Sequence, residues 1–336
     1  MKLSIVIPTY NGEKYIKETL ISILNQTIAA DEIIISDDGS TDNTISIIHS
    51  IFDDFNKTSS IDANYIIKLN PAGPSGFVNG WNRGISFATG DFISILHQDD
   101  LLEPEFIKNF KTAYQRYSQV RHFFVPCNYI DNNGNIIHRF TPPQSGLVLY
   151  TGNKYMKAYQ KCYGIFPHIH RCPGVVTHRA IFEQGCLYNS YAGHIADDDF
   201  FFRVGKFTDV VGIMEPLVAY RLHDLSETAN IGDLKLVSRL ANDYLYQIKQ
   251  WRGSDFIDAT AMEYFFYHAL KYKNRLLAYG IKKNKPELIV EGLSLSNLLL
   301  NQGCIDNSIS ILILEKFLKI NFISPIIQKI IRWFYK

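Results

Sequence analysis

The sequence predicts an α/β fold over its first two thirds and an all-helical region after that. Two observations predict the first part: short, continuous apolar runs of strand-forming residues, and amphipathic stretches of helical period between them. Continuous apolar strands alternating with helices are typical of a parallel sheet with helices on both faces. After about residue 232 only helical periodicity remains, so we predict domains at 1–228 and 229–336.

The elements of the first hundred residues alternate regularly. Strands are predicted over 3–10, 32–36, 65–69 and 91–96, with helices over 13–26, 41–52 and 75–90. Ligands of such sheets bind at the carboxyl ends of the strands. The polar residues found there are Thr9, Tyr10 and Asn11, then Asp37 and Asp38, then Asn70, and finally the HQDD segment at 97–100.

The middle of the chain predicts further elements of mixed type. Asn133-Gly134 is a strong signal for the turn of a hairpin. Residues 173–185 read as a strand or a short helix, and residues 196–207 as a helix whose start is rich in carboxylates. The segments VVGIM and LVAYRLH, which follow, are predicted strands.

The composition narrows the class of protein. The chain is 46% hydrophobic and 20% charged, with a formal net charge of +1, so we expect a globular protein without a nucleic-acid partner. Its five cysteines are odd in number and form no CxxC pair, which favours a reducing compartment. The first apolar run is short and contains Pro8, unlike a signal peptide. We therefore expect a cytoplasmic location.

Four sequence pieces occur in a characteristic order. They are SIVIPTYNGEKYIKETLISILNQT (4–27), DDGSTDNT (37–44), GISFATGDFI (84–93) and HQDD (97–100). Together they resemble the family 2 inverting glycosyltransferases, whose nucleotide-sugar-binding fold is of the GT-A type. The resemblance covers about residues 2–225 and implies a nucleotide-sugar donor and a hydroxyl acceptor.

The resemblance implies that the loop after the first strand holds the nucleobase. Pro8, Thr9 and Tyr10 match residues of that loop, where an aromatic side chain can stack on a base. Glu13 lies in the same segment. It is either near the nucleoside or a first-turn glutamate that complements the helix dipole.

The next two strand ends complete the expected nucleotide site. Asp38 matches the family aspartate that accepts the imide N–H of uracil, an edge that thymine also presents. Asn70 lies where the family approaches the nucleotide. The arginine that usually precedes Asn82 is replaced by Trp81, and Arg83 faces about 100° away on a helix. This replacement leaves the contacts to the diphosphate open.

The HQDD segment ends a buried strand with two adjacent carboxylates, which are costly to bury without a positive partner. It occupies the place of the family's Asp-x-Asp motif, so the resemblance implies a divalent cation, Mn²⁺ or Mg²⁺. Asp99 keeps the motif and is predicted to bind the cation, with His223 as a second ligand. His97 replaces the first aspartate, and it binds the cation, contacts the ribose or only packs. Asp100 is expected to cap the following turn.

A second acidic cluster follows Ala196. Alignment on Arg203 places Asp197 on the family's catalytic aspartate, the general base that takes the proton of the acceptor hydroxyl. Asp199 is the rival, since it starts the same helix. The alternative is a run of carboxylates that only favours the helix N-terminus.

The predicted function is transfer of a sugar from a UDP- or dTDP-sugar to a glycan or lipid-linked acceptor, in surface polysaccharide biosynthesis. The alternatives are a catalytically impaired nucleotide-sugar-binding scaffold and a nucleotidyltransferase. Residues 315–336 form a basic, amphipathic stretch. We expect that stretch either to lie on the inner face of an anionic membrane or to pack on the preceding helices or on a second subunit of a homodimer.

Overall fold

The computed structural model describes residues 1–59, 63–162, 171–224, 226, 234–254 and 259–302. The chain divides into two compact units, one of Met1–Ser190 and Ala196–Leu225, the other of Tyr191–Ile195 and Ser226–Lys336. The predicted boundary after residue 228 and the segment 315–336 lie outside the described residues.

Strands and helices alternate through the described residues of the first unit, and helices follow. The strands are β1 (Leu3–Thr9), β2 (Glu32–Asp37), β3 (Tyr65–Leu69), β4 (Phe92–Ile95), β5 (Leu101–Leu102), β6 (His122–Phe124), β7 (Cys127–Ile130), β8 (Ile136–His138), β9 (Leu147–Tyr150), β10 (Val175–His178), β11 (Val210–Ile213) and β12 (Val218–Arg221). The helices are α1 (Ile16–Leu24), α2 (Thr44–Thr58), α3 (Phe77–Phe87), α4 (Phe106–Arg116), α5 (Gly152–Cys162), α6 (Arg179–Glu183), α7 (Ala196–Val204), α8 (Leu234–Trp251), α9 (Ala259–Lys282) and α10 (Pro286–Asn301).

The main sheet has the strand order β3-β2-β1-β4-β10-β6-β11-β9 in the described part of the chain. Strands β3, β2, β1 and β4 pair in parallel with one another, which confirms the predicted parallel half. Strand β10 is antiparallel to both β4 and β6, so the sheet as a whole is mixed. A smaller sheet has the order β5-β12-β7-β8.

Helices cover both faces of the parallel half, as predicted. On one face Leu3, Ile5 and Ile7 of β1 share an apolar core with side chains of α1, α2 and α4. On the other face α3 approaches closely, because a Cβ at Gly84 would lie 2.4 Å from Cγ1 of Val6. The carboxyl ends of β1 and β2 lie side by side, with Thr9 in register with Asp37.

Two local predictions are resolved by the structure. Strands β7 and β8 form the predicted hairpin, and Gly134 adopts a φ of 83° in its turn. Residues 173–185, predicted as a strand or a short helix, form both, β10 followed by α6.

The second unit is helical in its described residues. Helix α9 packs against α8 and α10, with buried apolar side chains from all three. A Cβ at Gly292 of α10 would lie 2.7 Å from Leu277 of α9, so the glycine lets these helices approach closely. Among the described helices, none combines the length and apolar character that a membrane span needs.

Candidate active site

The first loop, residues 8–13, lies at the carboxyl end of β1. The Thr9 hydroxyl is buried and donates to Oδ2 of Asp37 at 2.9 Å, whereas the Tyr10 side chain is 44% exposed. Asn11 adopts a φ of 48°, a left-handed conformation that asparagine tolerates. The loop therefore presents the Tyr10 ring at the surface and uses Thr9 to fix the strand end.

The two aspartates after β2 have different partners. Asp37 closes its own turn, since its Oδ1 accepts the backbone N–H groups of Gly39 and Ser40 at 3.0 and 2.9 Å. Asp38 Oδ1 accepts from Asn70 Nδ2 at 2.8 Å, and its Oδ2 accepts from the Ser75 N–H at 2.6 Å. The structure thus brings the predicted residues Asp38 and Asn70 together.

Asp38 is a stable anion in this setting. Burial alone would raise the pKa of its carboxyl, but hydrogen bonds from Asn70 and Ser75 and the charge of Arg83 hold that pKa below its usual range. Arg83 Nη1 lies 2.9 Å from Asp38 Oδ1, and its Nη2 donates to the Asp37 carbonyl at 2.7 Å. This arginine is therefore directed to the loop after β2.

Glu13 stabilises the start of α2. Its Oε2 accepts the backbone N–H of Asn43 at 3.0 Å and the Asn43 Nδ2 at 2.9 Å. A carboxylate at a helix N-terminus favours the helix dipole, and here that helix is α2 rather than the helix following Glu13. An open cavity of about 570 Å³ next to it is lined by Asn11, Glu13, Lys14, Thr41 and Asp42.

The HQDD loop, residues 97–100, collects potential metal ligands. One ligand atom from each of His97, Asp99 and Asp100 lies within 4.8 Å of the others. His223 Nε2 lies 2.8 Å from Oδ2 of Asp99, so the two predicted metal ligands are neighbours. An imidazole and carboxylates form a donor set suited to a divalent cation such as Mn²⁺.

Asp100 does not cap the turn that follows it. Its Oδ1 accepts the backbone N–H of Arg221 in β12 at 2.8 Å. Its Oδ2 is buried and lies 3.3 Å from Nδ1 of His97. Burial and the charge of Asp99 raise the pKa of Asp100 to about 6. A divalent cation would stabilise the two adjacent carboxylates of Asp99 and Asp100, so these residues fit one.

Arg221 supports the HQDD loop from below, a role that the sequence reasoning missed. Its side chain is fully buried, its Nε donates to the Asp99 carbonyl at 2.8 Å, and its Nη2 meets Glu18 Oε2 at 2.6 Å. Its guanidinium lies 4.7 Å from the centroid of the Tyr15 ring. The sequence did contain a signal for this role, because Arg221 lies in the predicted strand LVAYRLH, two residues before His223. An arginine buried in a strand needs polar partners.

Two departures from the family pattern contact each other. The Trp81 and His97 rings are stacked, with centroids 5.2 Å apart and planes at 18°. His97 Nδ1 also lies 3.3 Å from Oδ2 of Asp100. Burial alone would lower the pKa of His97, but Cys172 and Asp100 raise it well above its ordinary value. His97 is therefore both packed by an aromatic ring and paired with a carboxylate.

The three carboxylates at the start of α7 differ in their partners. Asp199 is fully buried, and its Oδ2 lies 2.8 Å from Nε and 2.7 Å from Nη2 of Arg203. Asp198 accepts the hydroxyl of Tyr159. Asp197 Oδ1 accepts the backbone N–H of Asp198 at 3.0 Å. Side chains of the fold thus hold Asp198 and Asp199, while the bond shown for Asp197 is a backbone one.

Asp197 has charged neighbours on two sides. Burial raises the pKa of its carboxyl, and the charges of Arg171 and His97 oppose that effect. Arg171 is held by the second sheet, with Nε 3.4 Å from the Tyr129 hydroxyl and its guanidinium 5.3 Å from the Tyr220 ring centroid. A carboxylate with a raised pKa is suited to act as a general base.

Comparison with solved structures identifies the fold. Residues 1–349 of TarS from S. aureus superpose with a TM-score of 0.61 at 15% identity, covering 90% of this chain and 81% of that one. The mannosyltransferase PcManGT from Pyrobaculum calidifontis, solved with GDP-Man and Mn²⁺, gives a TM-score of 0.52 at 16% identity, covering 90% and 86%. The α/β unit with its helical C-terminal region is therefore of the GT-A type.

Sequence relatives carry the names of glycosyltransferases and of a polysaccharide synthase. An uncharacterized glycosyltransferase of Haemophilus influenzae is 25% identical over 66% of this chain and 65% of its own length. A chondroitin synthase of Pasteurella multocida is 35% identical over 32% of this chain and 10% of its own. A GalNAc(5)-diNAcBac-PP-undecaprenol β-1,3-glucosyltransferase of Campylobacter jejuni is 32% identical over 42% of each. The chain spans less than two thirds of the length of these relatives.

The family profile covers the amino-terminal part of the candidate site, while Asp197 and His223 lie beyond it. The profile described as Glycosyl transferase family 2 matches residues 4–182, more than half of the 336 residues. The match contains the first loop, the loops after β2 and β3, and the HQDD loop. The chain belongs to glycosyl transferase family 2.

Proposed function

We propose that this glycosyltransferase inverts the anomeric centre of a UDP- or dTDP-sugar, with Asp197 as the general base. The observation that carries the proposal is the difference among the three α7 carboxylates. Asp198 and Asp199 are bound by Tyr159 and Arg203, whereas Asp197 is electrostatically coupled to the HQDD loop through His97. This arrangement supports Asp197 over its rival Asp199.

The chemistry requires one proton acceptor. Asp197 takes the proton of an acceptor hydroxyl while that oxygen forms a bond to the anomeric carbon. The bond from the anomeric carbon to the diphosphate breaks on the opposite face, and the configuration inverts. No covalent bond between sugar and enzyme forms. The missing family glutamate, replaced by Ala196, is not needed for this single proton transfer.

The choice of uracil or thymine rests on Asp38. Its lowered pKa keeps the carboxyl ionised, so it offers only hydrogen-bond acceptors. Asn70, Arg83 and the Ser75 hydroxyl bind its Oδ1, and the Ser75 N–H binds its Oδ2 at 2.6 Å, with the Ser75 hydroxyl 3.3 Å from that oxygen. A second lone pair of Oδ2 is suited to the imide N–H of either base. TarS has been solved with UDP-GlcNAc and PcManGT with GDP-Man, so the fold alone does not select the base.

A divalent cation, Mn²⁺ or Mg²⁺, belongs to the proposal. Asp99 and His223 would hold it, together with Asp100 and His97. When bound, it would act as a Lewis acid on the departing diphosphate. Arg221 holds the Asp99 carbonyl and so keeps the loop in place for this role.

The acceptor is proposed from the relatives. A chondroitin synthase, a hyaluronan synthase and a transferase named for an undecaprenol-linked substrate all match this chain over part of their length. We therefore propose a growing glycan, free or lipid-linked, as the acceptor, and surface polysaccharide assembly as the process.

Calorimetry with nucleotides and Mn²⁺ tests the donor site. We expect UDP or dTDP to bind more tightly than GDP, and Asp38→Asn to weaken UDP about 10–100-fold, as for loss of a charged hydrogen bond. Asp54→Asn, which alters an exposed carboxylate paired with Lys57, is the matched control. Tighter binding of GDP than of UDP and dTDP would contradict the base assignment. Binding of a UDP-sugar without any turnover would indicate a scaffold protein.

A further inference from the structure

Gln98, in the middle of the HQDD loop, is bonded to the first loop by both ends of its amide. Its Oε1 accepts the backbone N–H of Tyr10 at 2.9 Å, and its Nε2 donates to the Tyr10 carbonyl at 3.0 Å. Its own backbone carbonyl accepts the buried hydroxyl of Thr19 at 2.9 Å. The side chain thus pairs with one residue of the first loop as a neighbouring strand would. We call this pair of bonds the Gln98 clamp.

The first loop is shaped around the clamp. A Cβ at Gly12 would lie 2.3 Å from Oε1 and 2.6 Å from Cδ of Gln98. Only a glycine at this position leaves room for the amide in its observed place. The φ of Gly12 is not in the left-handed region, so the need for glycine here comes from the Gln98 side chain.

The clamp joins the two halves of the expected donor site. Gln98 is flanked by His97 and Asp99, whose ligand atoms cluster for a cation, and it holds Tyr10, whose exposed ring faces the surface. We propose that Gln98 is a positioning residue that couples cation binding at the HQDD loop to nucleobase binding at the first loop. The inference rests on the proposed function, since it assigns those two ligands to the two loops.

The coupling follows from the geometry. A cation held by Asp99 fixes the HQDD loop, and the clamp then fixes the Tyr10 backbone before the base arrives. By thermodynamic linkage, base binding favours the cation to the same degree. A free nucleoside reveals this effect, because uridine lacks the phosphates that would contact the cation directly.

The first test measures uridine affinity by calorimetry with and without saturating Mn²⁺. In the wild type we expect Mn²⁺ to tighten uridine about fivefold or more, the lower end of measured coupling between sites. Gln98→Ala should bring that ratio to about one. Asn82→Ala is the matched control, because the Asn82 amide makes a pair of bonds of the same kind, to Tyr188, at 2.6 and 3.0 Å. It should leave the ratio unchanged.

A second variant attacks the clamp from the other side. In Gly12→Ala the new methyl group displaces the end of the flexible Gln98 side chain, so this variant should reproduce the loss of coupling in Gln98→Ala. In the double variant of Gly12→Ala and Gln98→Ala, the methyl group has room because the Gln98 amide is gone. The loss of coupling in the double variant should therefore equal that in Gln98→Ala alone. Additive effects of the two substitutions, or coupling that survives in Gln98→Ala, would overturn the inference.

Hydrogen exchange of the Tyr10 N–H tests the Gln98 clamp in the absence of any ligand. The Tyr10 N–H is bonded to Oε1 in the wild type, so its exchange should accelerate at least about tenfold in Gln98→Ala and in Gly12→Ala. Unchanged exchange would overturn the clamp itself. If the clamp is seen by exchange but neither uridine nor UDP binds, the proposed donor fails and the coupling fails with it. If uridine binds without coupling to Mn²⁺, only the inference fails.

Discussion

Replacing the two rival carboxylates of α7 by asparagine should separate catalysis from stability. Asp199 is fully buried, and both Nε and Nη2 of Arg203 contact its Oδ2. Removing one partner of a buried ion pair costs about 3–5 kcal/mol. The lower end applies to Asp199→Asn, because the Arg203 side chain keeps 18% exposure and its charge stays partly solvated. For a unit of this size, about 3 kcal/mol corresponds to a fall in Tm of roughly 6–12 °C.

Asp197→Asn should have the opposite outcome. Because burial raises the pKa of Asp197, its ionised form is disfavoured in the folded state, and a neutral amide of the same shape removes that penalty. We expect an unchanged or higher Tm at pH 7.5, with the gain shrinking as pH falls and the wild-type carboxyl protonates. Turnover should drop about 10²–10⁴-fold, as for loss of a general base.

The assay pairs thermal unfolding with release of nucleotide from the donor sugar, and calorimetry confirms that each variant binds UDP. Asp198→Asn is the control, since Tyr159 can still donate its hydroxyl to an amide oxygen. Full turnover in Asp197→Asn, together with a folded but inactive Asp199→Asn, would refute the reasoning and move the base to Asp199.

Three further outcomes are expected. EDTA should reduce turnover, and Mn²⁺ should restore it better than Mg²⁺ because the His97 imidazole favours the softer ion; full turnover in EDTA would contradict a metal role for Asp99. Arg171→Gln should move the acid limb of the kcat/KM profile to higher pH, because Arg171 opposes the raised pKa of Asp197. Gly84→Ala should lower the free energy of unfolding, measured with denaturant, by about 1–3 kcal/mol, because the new methyl group would overpack against Val6. Gly80→Ala is the control and should leave that free energy unchanged, since a Cβ there meets nothing within 4 Å.

The parallel half of the fold was predictable because its signals are local. The apolar runs at 32–36 and 65–69 coincide with β2 and β3 to within one residue, and turn-forming residues separate them from the helices. The mixed order beyond β4 was not predictable, since β10 pairs with β4 across about eighty residues of chain. Nothing in the local pattern of residues 175–178 specifies an antiparallel partner.

The site was predictable in its residue types but not in its partners. Motif spacing placed Asp38, Asn70, Asp99 and His223 at strand ends, and the structure brings them together in two pairs. The partner of each arginine could not be predicted, because it depends on the position that the end of a long side chain reaches in the fold. The guanidinium of Arg83 contacts Asp38, that of Arg203 contacts Asp199, and that of Arg221 binds the Asp99 carbonyl of the HQDD loop.

That distribution of arginines explains how acidic side chains can crowd this site although the formal net charge of the chain is only +1. Asp38 and Asp199 each contact a guanidinium, that of Arg83 and that of Arg203. The carboxylates with a raised pKa, Asp100 and Asp197, lack such a contact to a guanidinium among the described residues. In the proposed function these two groups receive a partner from outside the chain, a cation for Asp100 and the proton of the acceptor for Asp197. The electrostatic pattern therefore supports the same assignment of roles as the sequence motifs do, by a separate argument.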